Sequence, residues 1–187
     1  MANSVEGNVW VLDTVGIITE KAIDIRKIVL YPNAAGDAAL LNYFNPGKLV
    51  TLGCGTIIGT AVTGTITGTN TLTMSAGTYL PAAIADGYVF ELTGGGGLAA
   101  NQNVKTLVAT AGNNTVVVAQ GAPWTNEAAQ TYSWNTYYTY PLFPLLSPAT
   151  ERQIFQMDFP IPFHAQNLIL ETISANAKVY VYLAGLV

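Results

Sequence analysis

Hydrophobic and polar positions alternate with a period of two along much of the chain. The clearest stretch is "TGTITGTNTLTM" at 63–74, in which threonine takes every second position from Thr63 to Thr73. Successive side chains of a strand point to opposite faces, so this pattern predicts β-structure with one face made of threonine. The "TN" step predicts a hairpin whose two arms share that face. Threonine is β-branched and uncharged, which suits an exposed, rigid β-surface better than catalysis.

The two ends of the chain predict further strands and almost no helix. Alternating or β-branched runs indicate strands at 8–13, 22–31 and 38–44 near the N-terminus and at 152–159, 167–173 and 178–183 near the C-terminus. The segment "AIDIRKIVLY" also fits one helical face, but its β-branched content and the turn "YPNAAGD" after it favour a strand. Asp37 after Gly36 and Asp86 before Gly87 are predicted turn residues.

The middle of the chain differs in composition from its ends. From about residue 47 to 129 it is rich in Thr, Gly, Ala and Asn, and it predicts six short strands separated by turns such as "GGGG" (94–97). Such spacing is typical of a small antiparallel barrel or sandwich. We therefore predict an all-β protein: an antiparallel, jelly-roll-like β-sandwich from residues 1–46 and 134–187, with an inserted β-barrel or sandwich domain at 47–133, which we expect to protrude.

Composition narrows the function classes. Of the 187 residues, 50% are hydrophobic and only 10% are charged, against about 25% charged residues in ordinary domains. A surface so poor in charge predicts that neighbouring chains cover much of it, as in an assembly subunit. The formal net charge of −4 argues against nucleic acid as a partner, because nucleic-acid binding needs a basic surface. No secretory signal is visible, and the uncharged stretch from Leu49 to Ala85 predicts strands rather than a membrane helix.

Candidate chemistry is sparse. His164 is the single histidine and has no G-x-S-x-G motif to pair with, while the single cysteine, Cys54, lies between two glycines and predicts a small buried side chain. The carboxylates do not cluster as in a calcium loop, and "GGGG" lacks the G-K-[ST] ending of a phosphate loop. We expect no catalytic residues, no cofactor and no metal site, although the fold can still bring distant carboxylates together.

The stretch "TYSWNTYYTYPLFPLLSP" at 131–148 supplies the interface candidates. Alternation places Tyr132, Trp134, Tyr138 and Tyr140 on one strand face, where they suit a sandwich core, a subunit interface or a platform for sugar rings. Three prolines follow, so we expect an extended arm or strap without regular ladder bonds. The apolar residues of this arm need a cover, and a neighbouring subunit is one candidate: Leu142, Phe143, Leu145 and Leu146.

Two parts of the chain carry a resemblance to a known class of proteins. "VWVLDTVGIITEKAIDIRKIVLYPNAAGDAALL" and "NLILETISANAKVYVYL" resemble the ends of small β-sandwich virion proteins of tailed bacteriophages. The middle, with "GTAVTGTITGTNTLTMS", "DGYVFELTG" and "NNTVVVA", is similar to the Thr/Gly-rich β-modules of phage head and tail proteins. The inserted segment is larger than in the shorter sandwich proteins.

This resemblance implies a structural protein of the virion rather than an enzyme. It favours a capsid decoration or cement protein, made in the host cytoplasm and located on the capsid surface. Its partners would be the major capsid protein or another virion protein, and further copies of itself, with a trimer favoured. The alternatives are a tail, adaptor or fibre component, and a carbohydrate-binding module that contacts a host glycan.

Overall fold

The structure, a computed structural model, describes residues 3–49, 51–52, 55–56, 59–74, 86–95, 98–112, 114–119 and 123–185. These residues form strands and one short 3-10 helix, so the all-β prediction is confirmed. Over the same ranges, no helix has the length and apolar character needed to cross a membrane. The elements are β1 (Ser4–Glu6), β2 (Val9–Leu12), β3 (Gly16–Thr19), β4 (Ile23–Tyr31), β5 (Ala38–Leu49), β6 (Thr51–Leu52), β7 (Gly55–Thr56), β8 (Gly59–Thr67), β9 (Thr71–Met74), β10 (Val89–Gly95), the 3-10 helix (Ala99–Asn101), β11 (Lys105–Ala111), β12 (Thr115–Val118), β13 (Glu127–Leu146), β14 (Phe155–Ala165), β15 (Leu168–Ile173) and β16 (Lys178–Leu183).

The chain divides into two compact units. The first comprises Met1–Phe44 and Tyr140–Val187, and the second comprises Asn45–Thr139. From the sequence we predicted that the first domain comprises residues 1–46 and 134–187. Both boundaries of the structure fall inside long strands, β5 and β13, which is why a change in composition alone does not mark them.

The first unit is an antiparallel β-sandwich. One sheet has the order β1-β2-β16-β4-β14, and the part of the other sheet that lies in this unit has the order β13-β5-β15-β3. Besides β1, this unit has eight strands, β2–β5 and β13–β16. When these eight are renumbered 1 to 8 in chain order, the two sheets have the orders 1-8-3-6 and 5-4-7-2. This is the strand order of a jelly roll, a pair of sheets built from two Greek keys. The predicted jelly-roll-like sandwich is confirmed.

Alternation along the strands builds the sandwich core. Ile28 and Leu30 on β4 and Val181 on β16 are buried from one sheet, and Leu41 on β5 and Leu170 on β15 are buried from the other. They belong to a single hydrophobic cluster, so the core lies between the two sheets. Residues of opposite parity on the same strands face away from the core, as the period of two requires.

The second unit contains a closed antiparallel barrel. Its strands follow the order β10-β11-β12-β9-β8-β13, and β10 also pairs with β13, which closes the circle. Closure pairs each of these six strands on both sides, so the described barrel strands offer no open edge to another chain. Aromatic and aliphatic side chains fill the interior: Ile66, Leu72, Met74, Phe90, Leu92, Val108, Val116, Val118, Trp124, Tyr132 and Trp134.

The threonine-rich hairpin forms two neighbouring strands of this barrel. In β8 and β9, Thr65 pairs with Thr73, while Ile66 pairs with Leu72. Ile66 and Leu72 are buried inside the barrel at 1% and 0% exposure, and the threonines therefore face outward. The predicted hairpin with threonine on one face of both arms is confirmed.

Candidate functional site at the edge of the jelly roll

The aromatic candidates of the sequence are divided between the two units. Tyr132 and Trp134 are 1% and 2% exposed and lie in the barrel core, so neither ring reaches solvent. Tyr138 is half-buried and meets Tyr88 edge-to-face, with ring centroids 5.3 Å apart. Tyr140 is half-buried in the first unit, and its ring is stacked on a tyrosine ring of β5 with the two centroids 5.2 Å apart. These four side chains do not form one exposed aromatic row.

The apolar candidates lie on the last part of β13. Phe143 and Leu145 are buried in the sandwich core, Leu142 packs against it half-buried, and Leu146 is 60% exposed. The prediction of an arm without regular ladder bonds is wrong, because residues 127–146 form one continuous strand. In the jelly roll β13 is the terminal strand of its sheet. Prolines there have one side that needs no ladder hydrogen bond, so they are tolerated.

Carboxylates of the barrel have structural roles. Glu127 accepts hydrogen bonds from the Tyr132 hydroxyl at 3.0 Å, from Asn101 Nδ2 at 2.7 Å and from the Leu98 backbone N–H. Burial raises the pKa of Tyr132 far above its ordinary value of about 10, and the hydrogen bond to Glu127 raises this pKa further. The carboxylate therefore ties the 3-10 helix to the barrel wall.

A second barrel carboxylate, Glu91, is 6% exposed and has two charged or polar partners. The Tyr137 hydroxyl donates to Glu91 Oε2 at 2.5 Å, and Lys105 Nζ lies 3.3 Å from Glu91 Oε1. Burial raises the pKa of Tyr137, and its hydrogen bond to Glu91 raises it further. A paired charge of this kind satisfies a buried group and offers no vacant position for a ligand.

A surface that presents charged groups without an ion pair lies where β4 is irregular. On one side of β4, Tyr182 pairs with Lys27 and Leu183 with Ile25, so Arg26 is left out of the ladder as a bulge. On the other side, β14 pairs through Asp158 with Lys27 and resumes at residue 163 with Ile25. Residues 159–162 of β14 therefore loop out opposite Arg26. Bulges of this kind occur at sheet edges and redirect side chains.

The looped-out residues form an apolar projection at the sheet edge, which we call the knob (residues 159–163, "FPIPF"). The rings of Phe159 and Phe163 pack on Phe143 with centroids 5.3 and 5.2 Å away. Between them Ile161 is 84% exposed and is flanked by a proline on either side. Because proline fixes φ, the knob holds an apolar tip in water with little conformational freedom left to lose.

A hollow of about 440 Å³ lies beside the knob, and its lining is mixed in chemistry. Lys27 Nζ is 4.8 Å from the ring centroid of Tyr182, a cation–π contact. Asp158 accepts a hydrogen bond of 2.6 Å from Gln156 Nε2. Arg26 and Asp158 are exposed, and neither makes an ion pair within the described part of the chain. The lining residues are Arg26, Lys27, Asp158, Phe159, Pro160, Tyr182 and Leu183.

His164 lies next to this hollow, at the end of β14. Its Nδ1 is 2.9 Å from Asp24 Oδ1, and the two side chains are 69% and 55% exposed. An imidazole–carboxylate pair can transfer a proton, but the hollow of about 210 Å³ around it is otherwise lined by Ala22, Ile23, Leu183 and Ala184, which supply no nucleophile. Cys54 lies outside the described residues. Across the described ranges, no group of three or more His, Cys, Asp and Glu side chains is arranged to hold a metal ion.

The outer face of the five-stranded sheet is aromatic as well. Tyr31 on β4 and Tyr180 on β16 meet edge-to-face at 4.8 Å, and Tyr182 follows on the same face of β16. Val29 also points outward, yet it is only 2% exposed beside the tyrosines. This tyrosine face, with the knob and hollow at its edge, is the part of the first unit best suited to contact another protein.

Comparison of the chain with protein families, with curated proteins and with solved structures found no match. The functional assignment therefore depends on the geometry of these surfaces. The sequence had pointed to residues 131–148, whereas the structure draws attention to the knob and to Arg26. A signal for the knob was present in the sequence, since "FPIPF" alternates aromatic residues with prolines around one isoleucine.

Proposed function

We propose that this chain is a non-enzymatic structural protein of a tailed-phage virion, and that it acts as a capsid decoration or cement protein. The observation that carries the proposal is the tyrosine face of the jelly roll with its exposed apolar edge. Protein interfaces are enriched in aromatic residues and arginine and depleted in lysine and glutamate. A chain with 10% charged residues that presents Tyr31, Tyr180 and Tyr182 on one sheet face fits that description.

In this proposal the jelly roll seats on the shell and the barrel remains in solvent. The outward threonines of β8 and β9 support that division, because they cover the barrel with uncharged polar groups that stay hydrated. Cementing means binding across neighbouring shell subunits, with interfaces of roughly 1,200–2,000 Å² each. Such binding stabilises only the assembled state, since the separate subunits do not present the site.

The proposed partners are the major capsid protein or another virion protein, together with further copies of this chain in a homo-oligomer. The protein would be made in the host cytoplasm and would end on the capsid surface. The alternative is a tail, adaptor or fibre component of the virion, which would use the same contact chemistry. A glycan platform built from Tyr132 and Trp134 is not proposed, because both rings are enclosed in the barrel.

The test is quantitative mass spectrometry of purified particles from the phage whose genome encodes the chain, followed by labelling with an antibody against it. We expect a copy number in the hundreds and label distributed over the head. A handful of copies with label on the tail would overturn the decoration role but keep the virion role. Particles that lack the chain altogether would refute both.

A direct test of cementing uses particles made without the chain. Adding the purified protein should saturate the heads and raise the temperature at which they release DNA. A variant with both Tyr31→Lys and Tyr180→Lys tests whether the tyrosine face makes this contact. It should fold normally but bind the heads at least about 30-fold more weakly, because it places charges at the centre of the proposed contact. Full binding by that variant would remove the tyrosine face from the proposal.

A further inference from the structure

We propose that two copies of this chain associate through the edge of the jelly roll, with the knob of each copy seated in the hollow of the other. The contact is between identical surfaces related by a two-fold axis. It deepens the homo-oligomer part of the proposed function, but it is measured without any particle, so the two proposals fail separately.

The knob has the properties of an interface anchor. Ile161 is 84% exposed, so a partner that covers it removes apolar surface from water, which is favourable. Its two flanking prolines and the packing of Phe159 and Phe163 on Phe143 hold it in place before binding. Pre-organisation of this kind reduces the entropy lost on association, which raises affinity for the same contact area.

The hollow offers a complement to that anchor. Its aromatic and aliphatic walls, Tyr182, Phe159 and Leu183, suit an apolar tip, and its volume of about 440 Å³ leaves room for one side chain and its neighbours. Arg26 and Asp158 lie at the same hollow with opposite charges, and within the described residues neither makes an ion pair. Lys27 also lines the hollow, where its ammonium group lies against the Tyr182 ring. A surface that carries charges of both signs can pair with a second copy of itself.

The two-fold geometry follows from where these groups lie. Knob and hollow are adjacent, since Phe159 belongs to both. In a two-fold contact each patch faces its own copy, so both knobs and both hollows are used at once. Arg26 of one copy then meets Asp158 of the other twice. A partner of a single charge would satisfy only one of these two groups, which favours a second copy as the occupant.

The prolines exclude the other common way in which sheet edges associate. β14 is the edge strand of its sheet, and edge strands can pair with a strand of another chain. Pro160 and Pro162 donate no backbone hydrogen bond, and the pairing of β14 with β4 is interrupted between Asp158 and Phe163. Side chains therefore make the contact rather than a continuous sheet across two copies.

The experiment is sedimentation equilibrium of the full chain from about 1 to 200 µM. We expect the wild type to be a monomer–dimer system, and Ile161→Asp to weaken the dimer at least about 30-fold, as loss of an interface anchor does. The matched control is Ile154→Asp, because Ile154 is 52% exposed but belongs to neither the knob nor the hollow lining. That variant should associate like the wild type.

Charge reversal supplies a second test, and it does not depend on the knob. Arg26→Asp places two carboxylates in each hollow, and Asp158→Arg adds a third cation there beside Arg26 and Lys27, so each variant alone should be monomeric. Mixed together, these two variants should form a heterodimer, because each copy then carries the charges that the other lacks. Circular dichroism and the melting temperature of each variant establish that it is folded.

Several outcomes would overturn the proposal. One is a wild-type monomer across the whole concentration range. Another is an oligomer that Ile161→Asp does not weaken, or a mixture of the two charge variants that stays monomeric. A wild-type trimer would refute the two-fold contact and support the trimer that the resemblance favours, while the proposed virion role would stand.

Discussion

Removal of the Glu127 carboxylate tests how the barrel is held together. The change Glu127→Ala leaves the Tyr132 hydroxyl, on a side chain that is 1% exposed, without its acceptor. It also removes one acceptor from Asn101, which is 0% exposed but keeps its bond of 2.9 Å to the Thr125 carbonyl. Leu98 is 46% exposed, so its N–H can bind water instead.

The magnitude follows from these three donors. An unsatisfied buried polar group costs about 1–3 kcal/mol, and among these three donors the tyrosine hydroxyl is the buried one that is left without an acceptor in the described residues. With a smaller loss at Asn101, we expect Glu127→Ala to lower the free energy of unfolding by about 2–4 kcal/mol. Tyr132→Phe removes one donor and leaves the carboxylate its other two, so it should cost about 1 kcal/mol.

The assay is urea unfolding followed by tryptophan fluorescence. Trp124 and Trp134 lie in the barrel core, so the signal reports mainly on the unit that contains the changed residue. In the double variant the unsatisfied hydroxyl is absent. The sum of the two single effects should therefore exceed the effect of the double change by about 1 kcal/mol or more.

The control is Glu151→Ala, whose urea unfolding is followed by circular dichroism because Glu151 belongs to the first unit. Glu151 is exposed, and its backbone carbonyl, rather than its carboxylate, accepts the hydrogen bond from Ser147. We expect a change within about 0.5 kcal/mol, as at most surface positions. If Glu127→Ala were equally mild, or if it were additive with Tyr132→Phe, the account of Glu127 as the tie between the 3-10 helix and the wall would be refuted.

Two further changes test the packing and electrostatics. Burial raises the pKa of Glu171, so this carboxyl contributes stability below its ordinary pKa and loses that contribution as pH rises through its folded-state pKa. Glu171→Gln keeps an acceptor for the Asn42 side chain but removes the buried charge. In urea unfolding it should therefore stabilise the protein more at pH 7 than at pH 4. An equal effect at both pH values would contradict the burial argument. A Cβ at Gly64 would lie 3.1 Å from the Thr73 carbonyl oxygen, so Gly64→Ala should cost about 1–3 kcal/mol. Gly112→Ala, where the nearest atom is 3.9 Å away, is the control and should be nearly neutral; equal losses would contradict the crowding at Gly64.

Strand positions were predictable from the sequence because both units obey a local rule. A period of two is sufficient to place β9, β16 and the second half of β8, since burial alternates along each of them. β4 and β15 bury three consecutive residues, and their apolar, β-branched content rather than alternation indicated a strand. The short strand β3 (Gly16–Thr19) was missed, because four residues with two adjacent isoleucines do not alternate. Local pattern is informative where one strand face is buried, and it fails where a strand is short.

Pairing across the chain was not predictable in the same way. One of the six barrel strands is the first part of β13, which extends beyond the stretch 47–129 in which the sequence predicted six short strands, and β13 then continues into the jelly roll as an edge strand. One strand that serves two units carries core residues of both, so Trp134 and Phe143 look alike in sequence but fill different cores. Composition gave no sign of that double use.

Proline explains why the candidate interface moved from β13 to β14. Both strands lie at sheet edges and both carry two prolines, Pro141 and Pro144 on β13 and Pro160 and Pro162 on β14. β13 is one continuous strand through its prolines, and the alternate residues Phe143 and Leu145 still enter the core. On β14 the ladder breaks opposite the Arg26 bulge, so one isoleucine is pushed into water.

That difference depends on the register of β4 against two neighbours, which no local pattern in "AIDIRKIVLY" reveals. Arg26 is skipped by β16 on one side and by β14 on the other. A double irregularity at one residue costs ladder hydrogen bonds, and bulges at sheet edges commonly serve to aim a side chain or to end pairing. Here the result is that the apolar tip Ile161, Arg26 and Asp158 are exposed on the same edge. A second copy of the chain would cover all three groups, so the cost of the bulge would be offset only in the assembled state.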